Sequence, residues 1–264
     1  EKIDRLASEV EHPFAQPVAK AICLLQFVKS IHRNAENIAA TLYPKVGGDS
    51  VLSSVDQALQ ALVAAHKIRL GEDGYRIPTP TEDDWETQRA ALKPKRADTN
   101  QILRETMDRL WQPQPSHTLL STRVFKGSLW LDGRERIKGD IQFQIRLAED
   151  KADYTRLCDE SRRQSQAERE TVFWVIEIDE KIDKEVTEVF RSKEMITKKE
   201  RGAQTSAETR LLSEEGRRRD THRSEVRRLL EQAALSSMVF FRGNDRSPDG
   251  TDVTVGKAAE SILA

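Results

Sequence analysis

Three features of the 264-residue sequence predict an α+β fold. Residues 17–79 contain three stretches with helical apolar spacing, followed by two short strand-like stretches. Apolar and polar side chains alternate over residues 137–147, and residues 172–176 form a continuous apolar run; both patterns are typical of strands. Residues 179–235 have the pattern of two long, charged helices, so a mixed sheet with a charged helical hairpin projecting from it is predicted.

The first helix is predicted to begin at Pro17, because proline is favoured in the first turn of a helix. Its apolar residues recur at intervals of three and four, which gives one buried stripe: Val18, Ala21, Ile22, Leu25 and Val28. Residues 36–42 predict a short second helix. Pro44, Gly47 and Gly48 then predict a turn.

A third helix is predicted to follow, capped by Asp49 or Ser50. Its apolar face consists of Val51, Val55, Leu59, Leu62 and Val63. Residues 67–70 and 75–77 predict a β-hairpin around a glycine-bounded turn. Helix, short helix, helix and hairpin is the element order of a winged helix-turn-helix, so residues 1–80 are predicted to form such a domain, with the hairpin as its wing.

Residues 81–116 are predicted to form a helical connector and a linker. The hydroxyl and acidic residues at 81–84 suit a helix N-terminus, and Trp85 supplies an apolar anchor. The helical pattern is interrupted near Pro94 and ends at the proline-containing stretch 112–115.

Residues 117–264 are predicted to form a mixed-sheet α+β domain with a long charged helical hairpin. Its first two strands are predicted at 118–125 and 128–132, joined by a turn at Lys126 and Gly127. In the alternating stretch, Ile141, Phe143, Ile145 and Leu147 share one face, which predicts a half-buried antiparallel strand.

The remaining elements follow from apolar runs and helix signals. A polar helix is predicted at 149–169, and the run at 171–178 predicts a central strand buried on both faces. Asp179 is expected to start a helix that ends near Lys199, and after a break at Gly202 a second helix is predicted at 206–235. A last strand at 238–241 and a final helix from about Thr254 complete the domain.

Composition limits the class of protein. The formal net charge is -1, so only local basic patches could attract nucleic acid. The two cysteines, Cys23 and Cys158, lack metal-type spacing, which favours a reducing compartment, the cytoplasm. No apolar run is long enough to span a membrane. Because the sequence starts at Glu1 and stops inside an apparent helix, it is expected to be a fragment of a longer polypeptide.

Two groups of cationic residues are candidates for DNA phosphate contacts. The predicted wing contributes Lys67, Arg69 and Arg76, next to a third helix that offers Ser53, Ser54, Gln57 and Gln60 toward base edges. The predicted helical hairpin contributes Arg217, Arg218, Arg219 and Arg223. The alternative for this second group is a solvated helix whose arginines pair with Glu214, Glu215 and Glu225.

Catalysis and cofactor binding are not expected within this chain. Residues 250–258 resemble a phosphate loop, but one residue too many separates the glycines, and Ala258 replaces the hydroxyl that would hold magnesium. The histidines are scattered without metal-type spacing. Glu177 and Asp179 follow the buried strand, which leaves open a nuclease-like site with magnesium, although such acids more often cap the next helix.

Several stretches resemble one protein family. Residues 37–42, 73–79 and 84–86, followed by the alternating strand, the buried strand, the charged hairpin and residues 239–243, are similar to the region after the ATPase core of the large BREX phage-defence P-loop ATPases, the BrxC and PglY group. The resemblance implies a parent that uses ATP and magnesium, forms homo-oligomers and works with other defence-system proteins. It carries no catalytic residue over to this chain.

The resulting functional prediction is a non-catalytic middle segment of such an ATPase, which contributes DNA or partner-protein binding and assembly. No membrane association is expected. The alternative is a stand-alone winged-helix transcription regulator whose second domain senses a ligand.

Overall fold

The computed structural model describes residues 10–28, 30–45, 49–71, 73–202, 205–248 and 254–264. The predicted turn at Gly47 and Gly48 lies outside these residues. The chain divides into two compact units, Glu1–Ala90 and Ala91–Ala264. Each unit contains a hydrophobic core of its own. The predicted boundaries at 80 and 116 stay a prediction.

The described part of the first unit contains three helices, a two-stranded hairpin and a fourth helix. The helices are α1 (Ala15–Leu25), α2 (Ala35–Thr41), α3 (Leu52–Ala64) and α4 (Pro80–Ala90), and the antiparallel strands are β1 (Arg69–Gly71) and β2 (Gly74–Arg76). The Asn34 side chain caps α2 by accepting a hydrogen bond of 2.9 Å from the Asn37 N–H. Before α3, the Ser50 hydroxyl accepts a bond of 3.3 Å from the Leu52 N–H, so one of the two predicted cap residues contacts this helix end.

The segment between α1 and α2 is hydrogen-bonded to the hairpin. Arg33 donates its N–H to the Asp73 carbonyl and accepts from the Tyr75 N–H, both at 2.9 Å. At Gly74, φ is +96°, and a Cβ atom would lie 2.4 Å from the Arg33 carbonyl oxygen. Glycine is therefore required at this crossing, both for its backbone conformation and for its lack of a side chain.

The core of the first unit uses the apolar stripes that the sequence predicts. Buried residues come from all three helices and the start of the hairpin, and include Val18, Ile22, Ile38, Val55, Leu59, Leu62 and Ile68. Two residues predicted to face inward, Val28 and Val63, are exposed. Val28 lies beyond the end of α1, and Val63 is one residue from Leu62, so it points about 100° away around α3. Trp85 of α4 is buried, as the sequence predicts.

The second unit is built on a mixed seven-stranded sheet. Its strands are β3 (Ser116–Leu119), β4 (Arg123–Leu131), β5 (Arg134–Ile137), β6 (Ile141–Ala148), β7 (Thr171–Glu177), β8 (Met238–Phe241) and β9 (Asn244–Asp245). The order is β3-β4-β6-β7-β8-β9, and β5 pairs with β4. The β4–β6 and β6–β7 pairs are parallel and the other pairs are antiparallel. The predicted mixed sheet is confirmed.

The predicted turn at Lys126 and Gly127 is wrong, because both residues lie inside β4. A Cβ atom on Gly127 would lie 3.0 Å from Cε2 of Phe143 and 3.4 Å from Cζ2 of Trp111. This glycine makes room for aromatic packing. The chain turns instead at residues 120–122, where Leu120 and Ser121 have φ values of 48° and 56°.

The prediction of a half-buried antiparallel strand over 137–147 is also wrong. This strand, β6, is parallel to both of its neighbours, and both of its faces are covered. Phe143 and Ile145 are buried on one face, and Gln144 is buried on the other. The polar side chains alternate as the sequence indicates, but they face a helix and not bulk water.

Helices cover both faces of the sheet. On one face lie α5 (Arg96–Leu110), α7 (Glu180–Lys199), α8 (Ser206–Leu235) and α9 (Val255–Leu263), which share the main core with Val172, Trp174 and Ile176 of β7. On the other face, α6 (Lys151–Ala167) packs against Phe173 and Val175. The central position of β7 and the bounds of α8 and β8 agree with the sequence predictions.

Two buried tryptophans join the helices to the sheet. Trp111, directly after α5, donates its indole N–H to the Gly127 carbonyl at 3.1 Å. Trp174 of β7 donates to the Ser237 hydroxyl at 2.7 Å and to the Ala234 carbonyl at 3.2 Å. These bonds satisfy the polar atom of each ring inside the apolar core.

Candidate nucleic-acid interface

The two arginines of the β1–β2 hairpin form ion pairs with α4. Arg69 and Arg76 lie opposite each other in the hairpin. Arg76 donates to both carboxylate oxygens of Glu82, at 2.7 and 2.5 Å, and Nη2 of Arg69 lies 2.5 Å from Oε1 of Glu86. Only 13% of the Arg69 side chain and 21% of the Arg76 side chain are exposed. Both guanidinium groups therefore already have carboxylate partners, and their predicted contact with phosphate stays a prediction.

Glu82 is the centre of this cluster. Its Oε2 also accepts a hydrogen bond of 2.8 Å from the Thr79 N–H, and its Oε1 lies 3.8 Å from Arg69. The Arg76 hydrogen bond is the largest cause that lowers the pKa of Glu82 to about 2, whereas burial acts in the opposite direction. The carboxylate is consequently ionised at neutral pH and ties the hairpin to α4.

The outer side of α3 is polar and carries little charge. Ser53, Gln57 and Gln60 are exposed, whereas Val55 and Leu59 on the opposite side are buried. Serine and glutamine can hydrogen-bond to base edges, but they do not neutralise phosphates. Lys67, the third cation predicted in this unit, is half-buried just beyond the end of α3.

The second predicted group of arginines is distributed around α8. Arg217 is exposed, and Nη1 of Arg218 lies 3.7 Å from Oε2 of Glu215. Nη2 of Arg219 lies 2.9 Å from Oδ1 of Asp220, and Arg223 is half-buried. Because consecutive residues of an α-helix are about 100° apart, the structure brings Arg219 and Arg223 to one side and separates Arg217 and Arg218 from them.

Part of the predicted alternative, a helix with paired charges, is present on α8. Arg210 pairs with Glu214 at 3.2 Å, and Arg228 pairs with Glu225. The pairs follow the i,i+4 and i,i+3 spacings that bring side chains together on a helix. The pairing covers some of the arginines of α8 and leaves Arg217 outside it.

A polar layer fixes α8 against α7. The carboxylate of Glu215, only 1% exposed, accepts a hydrogen bond of 2.7 Å from the Ser192 hydroxyl. Further along, Nδ1 of His222 lies 2.6 Å from Oε2 of Glu185. These contacts set the rotation of α8, and with it the side on which each arginine lies.

Sequence reasoning did not find a polar groove of about 660 Å³ between β6 and α6. On its floor, Arg146 donates to the Ser161 hydroxyl at 3.3 Å and to the Gln164 amide oxygen, and its guanidinium carbon lies 5.1 Å from the centre of the Phe173 ring. Burial lowers the pKa of Arg146 from its ordinary value. The only sequence signal for Arg146 was the alternation of apolar and polar residues, and this pattern indicated that its side chain faces solvent.

The charges in this groove are largely paired with one another. Arg156 lies 2.6 Å from Asp153 and 3.2 Å from Glu160, and Arg96 forms an ion pair with Glu149. Glu160 is also 3.8 Å from Arg146. The groove thus connects β6 to α6 through mutually neutralised side chains.

Of the two acidic residues at the end of β7, Asp179 acts at the start of a helix. Asp179 accepts a hydrogen bond of 2.8 Å from the Ile182 N–H and caps α7. With Glu177 and Tyr154 it lines a cavity of about 430 Å³. Burial raises the pKa of Tyr154 to about 12. Within the described ranges, no group of three or more His, Cys, Asp or Glu residues is placed to hold a metal ion.

The stretch that resembles a phosphate loop lies partly outside the described residues, at 250–253. In its described part, the Thr254 hydroxyl caps α9 by accepting from the Lys257 N–H at 3.2 Å, and Lys257 pairs with Glu260 at 2.8 Å. Among the described helices, none combines the length and apolar character needed to cross a bilayer.

Comparison with known proteins identifies a family. Residues 80–256 match the family described as the fourth domain of the BREX ATP-binding protein BrxC, with a six-stranded β-sheet. The sheet of this chain has six strands along the path β3-β4-β6-β7-β8-β9 and a seventh strand, β5, that pairs with β4. No curated protein and no solved structure matched the chain. The match covers more than half of the sequence and confirms the family that the sequence resembles: the chain belongs to the BrxC family of the BREX defence system.

Proposed function

We propose that this chain is a non-catalytic, DNA-binding segment of a BREX ATP-binding protein, and that the α7–α8 hairpin supplies its phosphate contacts. The observation that carries the proposal is that Arg223 and Arg227 of α8 form no ion pair or hydrogen bond with any described side chain. Unpaired arginine side chains at a protein surface are suited to bind phosphate oxygens and to release the counterions of DNA.

The first unit is proposed to be a winged-helix module. Support comes from its three helices followed by an antiparallel hairpin, and from the hydrogen bonds between Arg33 and that hairpin. The exposed serine and glutamines of α3 have the donors and acceptors that base edges require. The ion pairs of Arg69 and Arg76 make the hairpin a structural support for α4, so it is proposed to contribute less to phosphate binding than α8.

The role of the parent protein follows from the family. ATP and magnesium are proposed to bind residues outside this chain, and the parent is proposed to act as a homo-oligomer with other proteins of the defence system. Cys23 and Cys158 are both free thiols, which suits the reducing cytoplasm. The chain itself is proposed to have no enzymatic activity.

The test is binding of the full chain to a fluorescent duplex at about 50 mM and about 200 mM salt, a range over which phosphate-dependent affinity falls steeply. We expect binding at the lower concentration and strong weakening at the higher one. The double variant Arg219→Glu, Arg223→Glu should bind more weakly, whereas the matched double variant Arg156→Glu, Arg163→Glu on α6 should bind like the unmodified chain.

If the chain does not bind duplex DNA at the lower salt concentration, the proposed function is wrong. Tight binding to one sequence that persists at the higher salt concentration would favour the transcription-regulator alternative over a phosphate-binding segment.

A further inference from the structure

Three arginines on α8 follow one another at intervals of four residues: Arg219, Arg223 and Arg227. In an α-helix this interval is slightly more than one turn, so the three side chains form a continuous row with a step of about 6 Å along the axis. Arg219 and Arg223 are half-buried and Arg227 is exposed, so the row winds outward toward solvent. We call these three residues the arginine row.

The arginine row does not coincide with the run of neighbouring arginines in the sequence. Arg217 and Arg218 are each displaced by about 100° or more around the helix from Arg219 and Arg223. Arg218 lies by the buried Glu215, on the side where α8 contacts Ser192 of α7. The group on the helix surface therefore contains Arg227, and it does not contain Arg217 and Arg218, which are neighbours of Arg219 in the sequence.

The space around the arginine row is open, and a small residue lies next to it. Gly216 precedes it by one turn, and a Cβ atom placed there would have no neighbour within 4 Å. Among the described residues, Asp220 is the acidic residue that forms an ion pair with the row, 2.9 Å from Arg219. One carboxylate beside three guanidinium groups leaves a local excess of positive charge.

The composition of α8 indicates which kind of nucleic acid fits. The helix contains no Phe, Tyr or Trp, so it lacks the stacking side chains that single strands require. Asparagine is absent and Gln232 lies more than one turn beyond Arg227, so amides that could read base edges are not part of the row. A step of about 6 Å is comparable to the separation of successive phosphates along one strand.

We propose that the arginine row binds successive phosphates along one strand of duplex DNA, without reading its sequence. The inference rests on the proposed function and adds the residues, the strand geometry and the lack of base specificity. In this arrangement α8 lies along the backbone of the duplex, and Arg217 takes no part in the contact.

The test compares two triple variants of the full chain that lose the same charge from the same helix. The row variant is Arg219→Gln, Arg223→Gln, Arg227→Gln. The control variant is Arg210→Gln, Arg217→Gln, Arg228→Gln, whose three positions share another side of α8, where Arg210 and Arg228 pair with acidic residues. Glutamine retains a high helix propensity, and the circular dichroism of both variants should confirm that α8 is intact.

Affinity for duplex DNA is measured over a range of salt concentrations, with two unrelated sequences and with a single strand. We expect the row variant to lose about 2.7 units from the slope of log affinity against log salt, because each phosphate contact contributes about 0.9. The slope measured for the control variant should differ from that of the unmodified chain by less than the contribution of one phosphate contact, about 0.9. Both sequences should bind equally, and the single strand should bind more weakly.

Three results would overturn the inference while leaving the proposed function in place: an equal loss in both variants, an unchanged slope in the row variant, or equally tight binding of the single strand. If the unmodified chain binds no duplex at all, the proposed function fails together with this inference.

Discussion

Glu82 shows how much of the candidate interface depends on contacts between single residues. It is six residues from Arg76, and Glu86 is 17 residues from Arg69. Neither separation is one that helical or strand periodicity brings together, because the contacts exist only after the hairpin has folded back on α4. From the sequence the two arginines therefore had the same status as any solvent-exposed cation, and their ion pairs could not be predicted.

Replacing Glu82 by glutamine should destabilise the first unit by about 1–3 kcal/mol, since two arginines and the Thr79 N–H lose a charged partner. The effect should depend on pH. The folded-state pKa of Glu82 is lowered to about 2 from an ordinary value of 4.5, so the carboxylate contributes its full stabilisation above pH 4.5 and loses it as the pH falls toward 2. Chemical denaturation at pH 7 and at pH 3 measures both effects.

Asp84→Asn is the matched control, because it is the same chemical change at an exposed position of α4. We expect a change of less than about 0.5 kcal/mol for this variant. Equal stability losses for the two variants, or a Glu82→Gln variant as sensitive to acid as the unmodified chain, would contradict the role assigned to Glu82.

Gly127 is the second residue whose role was not visible in the sequence. Glycine next to lysine between two strand-like stretches is a usual turn signal. The structure instead places Gly127 beside the ring of Phe143, which packs edge-on against Trp111 with centroids 5.1 Å apart. Since sequence patterns do not show what crosses a strand, a packing glycine and a turn glycine look the same.

Gly127→Ala should lower the stability of the second unit by about 1–3 kcal/mol, as expected for overpacking. The new methyl group would lie 3.0 Å from a ring that is fully buried and held by Trp111, so the ring has little room to move. Urea denaturation measures the change. A variant as stable as the unmodified chain would show that the sheet relaxes around the methyl group.

Among whole elements, those with local start and stop signals were predictable. The bounds predicted for α8 agree with the structure because Thr205 and Glu208 form a capping box at its start, with both hydrogen bonds present. Strand direction was not predictable. The alternation in β6 is the same for parallel and antiparallel neighbours, and whether a polar face meets water or α6 depends on the crossover connection.

Gly216→Ala is expected to stabilise the protein, in contrast to Gly127→Ala. Gly216 lies inside the 30-residue helix α8, where glycine costs about 0.5–1 kcal/mol relative to alanine, and no atom obstructs a new methyl group. Thermal unfolding should show a higher midpoint. A lower midpoint would mean that α8 needs flexibility at this position.

For the whole molecule, two separate hydrophobic cores predict two unfolding events. Leu59 is buried in the core of the first unit and Leu230 in the core of the second. Each substitution to alanine should cost about 2–5 kcal/mol in its own unit. Calorimetry should show Leu59→Ala lowering one transition and Leu230→Ala lowering the other. A single transition that both variants shift equally would contradict independent cores.

The family match supports the assignment of the two units to different extents. The family match covers residues 80–256 and thereby the whole sheet, the α7–α8 hairpin and α4. Residues 10–79 lie outside it, and their assignment rests on element order and on the contacts of Arg33. The arginines of the candidate interface were visible as a group in the sequence, but their division around α8 required the helix to be oriented by Glu215 and His222.

The buried tryptophans give the protein an optical property. Trp85 is the tryptophan of the first unit, whereas Trp111 and Trp174 report from the core of the second. An indole shielded from water fluoresces at shorter wavelengths than one in contact with it. Replacing Trp85 by phenylalanine would therefore leave a fluorescence spectrum emitted from the second unit alone. The difference between this spectrum and that of the unmodified chain would report the shift in emission wavelength as the first unit unfolds.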